Sequence, residues 1–332
     1  MHHNSRRQLL AGLALSFGGI APRMALAADT VYPAKPVTIV VPFPPGGPSD
    51  AIVRAIAEQL GQRLGQPFIT DFKGGAAGVI GTDAVAKAAR DGYTLLAASS
   101  DMLVNNTATF KQLPYDPLRD LTLVTQVGSL PLVLAVHAGV QVDDLAGLST
   151  YAWQQRGRFG YGSWGQGTHA HLAAEWLLNR RLGADSVHAV YRGLAPMTQD
   201  LVGQRVTVAF GVAPAFAPFV QAGKLKVIAV TGTSRIAAFP EARTFAEQGF
   251  NDDIFQFRLW MALAAPAGTP RAVVETLHRE MASIIASAPL RSLLTIGGFE
   301  PVLNTPEQAR AALERELATV PRLVREMGVP LQ

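Results

Sequence analysis

Val41-Pro42-Phe43-Pro44-Pro45-Gly46-Gly47-Pro48-Ser49-Asp50 joins two stretches of different period. Before it, Val37-Thr38-Ile39-Val40-Val41 is short, apolar and β-branched, the pattern of a buried strand. After it, Ile52, Val53, Ile56, Leu60 and Leu64 recur at helical spacing, which predicts a helix over 49–64. The unit is therefore strand, rigid loop, helix. Prolines hold the loop in shape, and two adjacent glycines let a ligand approach the backbone. The helix start adds unpaired N–H groups and a partial positive charge. Such a loop suits an anion. It has no nucleophile with a base beside it, so it is poorly suited to chemistry. A Gly-Gly pair alone is more often a tight turn; the strand and helix around this one favour binding. Asp50, in the first helical turn, is expected to cap amides, since direct contact would repel an anion.

Working outward, strand-like and helix-like stretches alternate, which argues for α/β architecture with largely parallel sheets. Short strands are expected at 68–70, 93–98, 158–161, 187–191, 206–210 and 227–231. Helices are expected at 82–89, 144–155, 168–181, 195–202, 213–222, 271–287 and 306–327. The face Val274, Leu277, Met281, Ile284 and Ile285 has ordinary core spacing. Strand, glycine loop and helix recur near residues 46, 78 and 165. Extended segments at 121–136, broken near Pro131, and at 257–265 bracket the middle of the chain. They read as crossovers between two lobes, with 28–126 and 256–332 in one and 127–255 in the other. Trp260, between Leu259 and Met261, is expected in core or hinge packing.

The chain opens with Ser5-Arg6-Arg7-Gln8, an apolar stretch to about Ile20, and Ala25-Leu26-Ala27. A charged start, apolar middle and A-x-A end make residues 1–27 a cleaved export signal. The paired arginines fit the twin-arginine route, and an ordinary secretory signal fits nearly as well. A membrane anchor is disfavoured because the stretch is short and interrupted by glycine. The formal net charge is +4, but residues 1–27 hold three arginines and no acid. Without them 26 basic side chains face 25 acidic ones, and the basic residues are scattered, so no nucleic-acid surface is implied. The absence of cysteine excludes disulfides, thiolate metal sites and a lipid-modified N-terminal cysteine.

The loop at 41–50 resembles the first binding loop of the Bug receptors, periplasmic solute-binding proteins related to the tripartite tricarboxylate transporters. Five more stretches match in family order. They are Gly75-Ala76-Ala77-Gly78-Val79-Ile80-Gly81-Thr82, Asp91-Gly92-Tyr93-Thr94-Leu95-Leu96, Leu113-Pro114-Tyr115-Asp116-Pro117, Ala222-Gly223-Lys224-Leu225 and Leu263-Ala264-Ala265-Pro266-Ala267-Gly268-Thr269-Pro270. The resemblance covers the chain from about residue 32 onward. It implies a two-lobed Venus-flytrap of the type II periplasmic binding protein fold, monomeric and without cofactor or metal. Its ligand would be a small organic carboxylate, and its partner a membrane transport complex or a sensor domain. Carried over by motif, the site comprises Phe43, Pro44, Pro45, Gly46, Gly47, Gly78 and Ser99 from one lobe. From the other come Ser163, Trp164, Gly165, Gly167, Thr168, Tyr191, Arg192 and Gly211. The family often has an acid after the strand at 206–210; Gly211-Val212 stands there instead, which weakens the case for an amino-acid ligand. Trp164 replaces smaller residues, and an aromatic there would stack on a planar ligand.

The rival reading is a secreted hydrolase or isomerase using the same cleft. Ser163 with His169 or His171 offers a nucleophile and a base, but Gly162-Ser163-Trp164-Gly165 does not fit G-x-S-x-G, and no acid is placed to orient either histidine. The two histidines, two residues apart, point to different sides of a helix and make a poor metal pair. Surface or cleft-rim positions are expected for them. Gly160-Tyr161-Gly162 and Gly165-Gln166-Gly167 lack the later glycine and acid of a dinucleotide fingerprint. Arg192 fits a cleft cation for a carboxylate better than a solvated turn residue.

Overall fold

The computed structural model describes residues 32–43, 45, 46 and 48–332. The export segment 1–27, Pro44 and Gly47 lie outside the described residues. In chain order the elements are β1 (Val37–Val41), α1 (Pro48–Leu64), β2 (Phe68–Phe72), α2 (Val79–Ala86), β3 (Thr94–Ser99), α3 (Asn106–Thr109), α4 (Pro117–Asp120) and β4 (Leu121–Leu130). Then come β5 (Val133–His137), α5 (Leu145–Gln154), β6 (Gly160–Ser163), α6 (His169–Glu175), β7 (Val187–Val190), α7 (Leu194–Val202), β8 (Val208–Gly211), α8 (Ala213–Gln221) and β9 (Leu225–Val230). The chain closes with β10 (Leu259–Pro266), α9 (Arg271–Ala286), α10 (Ala288–Ile296), β11 (Glu300–Pro301) and α11 (Pro306–Met327).

The strands form two sheets, ordered β11-β4-β10-β3-β1-β2 and β7-β6-β8-β5-β9. In the first, β1 pairs parallel with β2 and β3, but β10 runs antiparallel to β3 and β4. In the second, β6 pairs parallel with β7 and β8, but β5 runs antiparallel to β8 and β9. Both sheets are thus mixed, not largely parallel. The reason is topological. Strand–helix–strand units make the parallel pairs, whereas β5 and β10 each follow a crossing from the other sheet and lie between two neighbours that run against them.

The two crossings lie side by side. They meet where Leu130 pairs with Leu259; just beyond, the Leu132 N–H donates to Thr231 Oγ1 at 2.8 Å and the Thr231 N–H donates to the Leu132 carbonyl at 2.9 Å, which extends the β5–β9 ladder of the second sheet. The first sheet runs to Leu130, which pairs with Leu259, so only Pro131 and Leu132 separate β4 from β5. After β9 the return path is pinned by aromatic packing. Phe245 stacks on Phe255 at 4.1 Å between ring centres and on Phe210 at 5.7 Å, and all three are fully buried.

Helix ends follow their sequence signals. Asp144 accepts the Gly147 N–H at the start of α5, and Thr305 with Gln308 forms a capping box before α11. Several pieces have no counterpart in the sequence reading: the π-helical turn Asp101–Asn105 with α3 after it, α4, β11 and α10. Of these, α10 carried a legible signal, Ser287 as N-cap with Pro289 in the first turn.

Phe245→Ala removes the centre of the aromatic stack. It is expected to cost about 3–5 kcal/mol, read as a lowered urea midpoint with an unchanged slope.

Candidate ligand cleft

The carboxyl ends of β1 and β3 in the first sheet face those of β6 and β7 in the second across a cleft of about 930 Å³. Crevices outside the carboxyl ends of strands are where open α/β sheets hold ligands. Of the sequence-derived set, Phe43, Gly78, Ser99, Trp164, Gly165, Gly167, Thr168 and Arg192 stand on its wall. Pro45 and Gly46 are exposed on the first loop and do not line it; neither do Ser163, Tyr191 or Gly211. A second hollow, about 700 Å³, opens at the opposite end of β5 and β8 beside His137, Gln154 and Gln204, away from every glycine loop discussed above.

Local bonding explains these placements. Gly46 has φ +97°, and its N–H donates to Asp50 Oδ2 at 2.8 Å, while Arg54 Nε donates to Asp50 Oδ1 at 2.6 Å. Asp50 therefore caps the loop, and the Gly46 amide already serves it. Gly78 begins α2 at φ +86°, where an added Cβ would meet Met102 Cε at 2.7 Å. Gly167, at φ +77°, lies where the loop before α6 touches α3; a Cβ there would meet Thr109 Oγ1 at 2.8 Å. Gly211 is covered by the ring of Phe216, which leaves no room for a Cβ and none for a ligand. Tyr191 turns its hydroxyl to Asp200 Oδ2 at 2.8 Å.

Beneath the second-lobe wall lies a buried stack. Tyr161 stacks on His188 at 4.7 Å, and His188 on His171 at 4.0 Å. Ser163 Oγ meets His188 Nε2 at 2.7 Å, the Gly167 N–H donates to His171 Nδ1 at 3.0 Å, and the Tyr161 hydroxyl donates to Glu175 Oε2 at 2.7 Å. His169 and His171 are buried, not at the surface or the rim, because α6 packs its first turn inward. Burial lowers the pKa of His169, His171 and His188 to about 4, and His188 is lowered further by His171 beside it. A serine–histidine pair does exist here, made with His188. Ser163 is 0 % exposed, however, and its hydroxyl also donates to the Gly165 carbonyl at 3.0 Å, so it holds the turn that presents Trp164.

Sequence reasoning missed several wall residues: Asp101, Met102, Trp260 and Phe299. Trp260 is only 3 % exposed yet edges the cleft, and its indole N–H donates to Glu316 Oε1 at 2.8 Å and Oε2 at 3.0 Å. Burial pushes the Glu316 carboxyl up to about 7, the indole bond drawing it down. Among the described lining residues one side chain is cationic, Arg192, and one is acidic, Asp101. Arg192 is exposed and has no ion-pair partner among the described residues.

Comparison with known proteins rests on most of the chain. The family described as tripartite tricarboxylate transporter family receptor matches residues 52–329. Protein BugT of Bordetella pertussis is 35% identical over 329 residues, 99% of each chain. The chain belongs to this receptor family. Among solved structures, an R. palustris protein with adipate is similar at TM-score 0.81 and 30% identity, covering 91% of this chain and 100% of that one. The periplasmic binding protein BugD is similar at TM-score 0.79 and 28% identity, over 91% and 100%. This receptor therefore has the two-lobed α/β fold of the type II periplasmic binding proteins, and it is a solute receptor, not an enzyme.

The buried histidines make stability depend on pH with a definite sign. Each is neutral in the folded chain down to about 4, whereas the unfolded chain takes up protons near 6.5. Stability present above pH 6.5 is thus lost as pH falls toward 4. Asp101 and Glu316 are shifted upward and act in the opposite sense, so a single replacement isolates the histidine effect. His171→Asn keeps an acceptor for Gly167. Between pH 6.5 and 4 it should lose less stability than the parent, by on the order of 2–3 kcal/mol in urea titrations. Equal slopes would mean that His171 is protonated in the fold.

Proposed function

We propose that this chain is a periplasmic receptor that captures a small organic carboxylate between its lobes and delivers it to a membrane transport complex or a sensor domain. The observation that carries the reading is Arg192, a cation on the wall of an otherwise charge-poor cleft with no ion-pair partner among the described residues. The carboxylate found with the R. palustris relative supports the ligand class. Phe43, Gly78, Ser99, Trp164, Gly165, Gly167 and Thr168 would complete the site through backbone amides, hydroxyls and stacking. The expected lobe boundary near residue 127 moves to the end of β4: β1–β4 with β10–α11 make one lobe and β5–β9 the other, with closure as a hinge motion at the paired crossings. The arginine pair and apolar stretch before Ala27 direct export, and the receptor acts as a monomer.

Two measurements test this. Native mass spectrometry of protein purified without refolding identifies a co-purified carboxylate, and thermal unfolding against a carboxylate panel shows which ones stabilise it. Arg192→Gln should weaken the best carboxylate by about 1.5–3 kcal/mol, the worth of a charge-assisted hydrogen bond. Unchanged affinity in that variant removes Arg192 from the site. If no carboxylate binds the parent protein, the receptor reading itself falls.

A further inference from the structure

Gly211-Val212 follows β8 without an acid, yet the cleft is not without one. Asp101 supplies one from the opposite lobe. It opens the π-helical turn directly after β3. Its Oδ1 accepts two hydrogen bonds, from Asn105 Nδ2 at 2.7 Å and from the backbone N–H of His169 at 2.9 Å. The second donor belongs to the other lobe, so the carboxylate is held on the wall from both sides.

The fold does not need this group to be charged. An asparagine at the same place would still present Oδ1 to the Asn105 amide and the His169 N–H, with the Trp164 indole as a third neighbour of the group. No basic side chain pairs with Asp101 among the described residues. The charge is also costly to keep. Burial pushes the carboxyl up to about 6, with the His169 amide, Asn105 and Trp164 drawing it back down. A charge that is expensive and structurally dispensable, on the wall of a binding cleft, is a candidate for ligand selection. The same wall carries the apolar faces of Met102, Trp164, Trp260 and Phe299 beside polar Ser99, Asn106 and Thr168. Such surroundings screen charges less than water does, so Asp101 acts strongly on whatever lies beside it.

We propose that Asp101 selects the ligand by its far end. The cleft takes a carboxylate with one anionic group, placed toward Arg192, and a hydrogen-bond-donating or cationic group placed toward Asp101, in preference to a dicarboxylate. The inference rests on the receptor reading above and adds the ligand's second functional group. A dicarboxylate brings two anionic ends to a cleft with one cation, and its second end meets a like charge. A terminal amine or hydroxyl instead donates to Asp101, so attraction to one class and repulsion of the other act together.

Matched ligands test this. Adipate, hexanoate, 6-hydroxyhexanoate and 6-aminohexanoate share a chain length and differ at one end; four-carbon and benzoate-based sets vary the body in the same way. Affinities are measured by calorimetry for the parent protein and for Asp101→Asn, whose folding is checked by circular dichroism. In the parent, the hydroxy or amino member of a set that binds should be about tenfold tighter than the dicarboxylate, and Asp101→Asn should reduce that ratio about tenfold. The inference is overturned if the dicarboxylate binds as well as or better than the donor-bearing member in the parent. It is equally overturned if the ratio stays within about twofold in the variant. In both cases the receptor reading stands, because a carboxylate has bound. If no member of any set binds the parent, both fall. The parent ratio needs no variant, so a variant that fails to fold leaves the first comparison decisive.

Discussion

The antiparallel pairing of β4 with β10, from Leu121 opposite Pro266 to Leu130 opposite Leu259, ties the chain leaving the first sheet to the chain returning to it. Everything between those strands, including the whole second sheet, hangs from this seam. Just past the seam, reciprocal bonds between Leu132 and Thr231 start the β5–β9 ladder of the second sheet. Two short crossings held against each other restrict how the second sheet can move. Twist and bending about the pair remain available, whereas sliding would break buried hydrogen bonds with nothing to replace them. The Phe210–Phe245–Phe255 stack then anchors the return path in the second lobe's own core.

The cleft that this arrangement creates is sparing with charge. Its wall is built from strand ends, glycine loops and aromatic rings, with one cation and one acid among the described lining residues. Glycine appears where backbones must come close, as at Gly78 against Met102 and Gly167 against Thr109, and not only where a ligand would sit. Backbone recognition of this kind leaves a weak imprint on side chains. It lets related receptors share one scaffold while a few wall residues decide which molecule is held.

Burial decides what the polar residues of the second lobe can do. Ser163, His188, His171 and Tyr161 would look reactive in an open cleft. Packed in a column in which Ser163, His171 and Tyr161 are buried and His188 half-buried, the histidines stay neutral, and the serine spends its hydrogen bonds on the turn that carries Trp164. Trp260 is the converse case, a residue packed like a core side chain that nonetheless forms cleft wall because Glu316 holds its indole N–H from behind.

Periodicity in the sequence determined the order and type of nearly every element. The β-branched run before Pro42 became β1, the apolar spacing from Ile52 to Leu64 became α1, and the two late amphipathic runs became α9 and α11. Those patterns are local, and local burial enforces them. The first two family-like stretches carry loops of the cleft wall, and eight of the fifteen proposed site residues stand on it. Strand direction was not legible, because an extended apolar run reads the same whether its partner runs with it or against it. For the same reason β5 and β10 were visible as strands but not as antiparallel insertions. Nor could sequence tell that Asp50 would occupy the Gly46 amide, that Phe216 would cover Gly211, or that Asp101 would reach across to His169. Contacts between residues far apart in the chain are decided by how the two sheets are brought together, and only the tertiary structure holds that information.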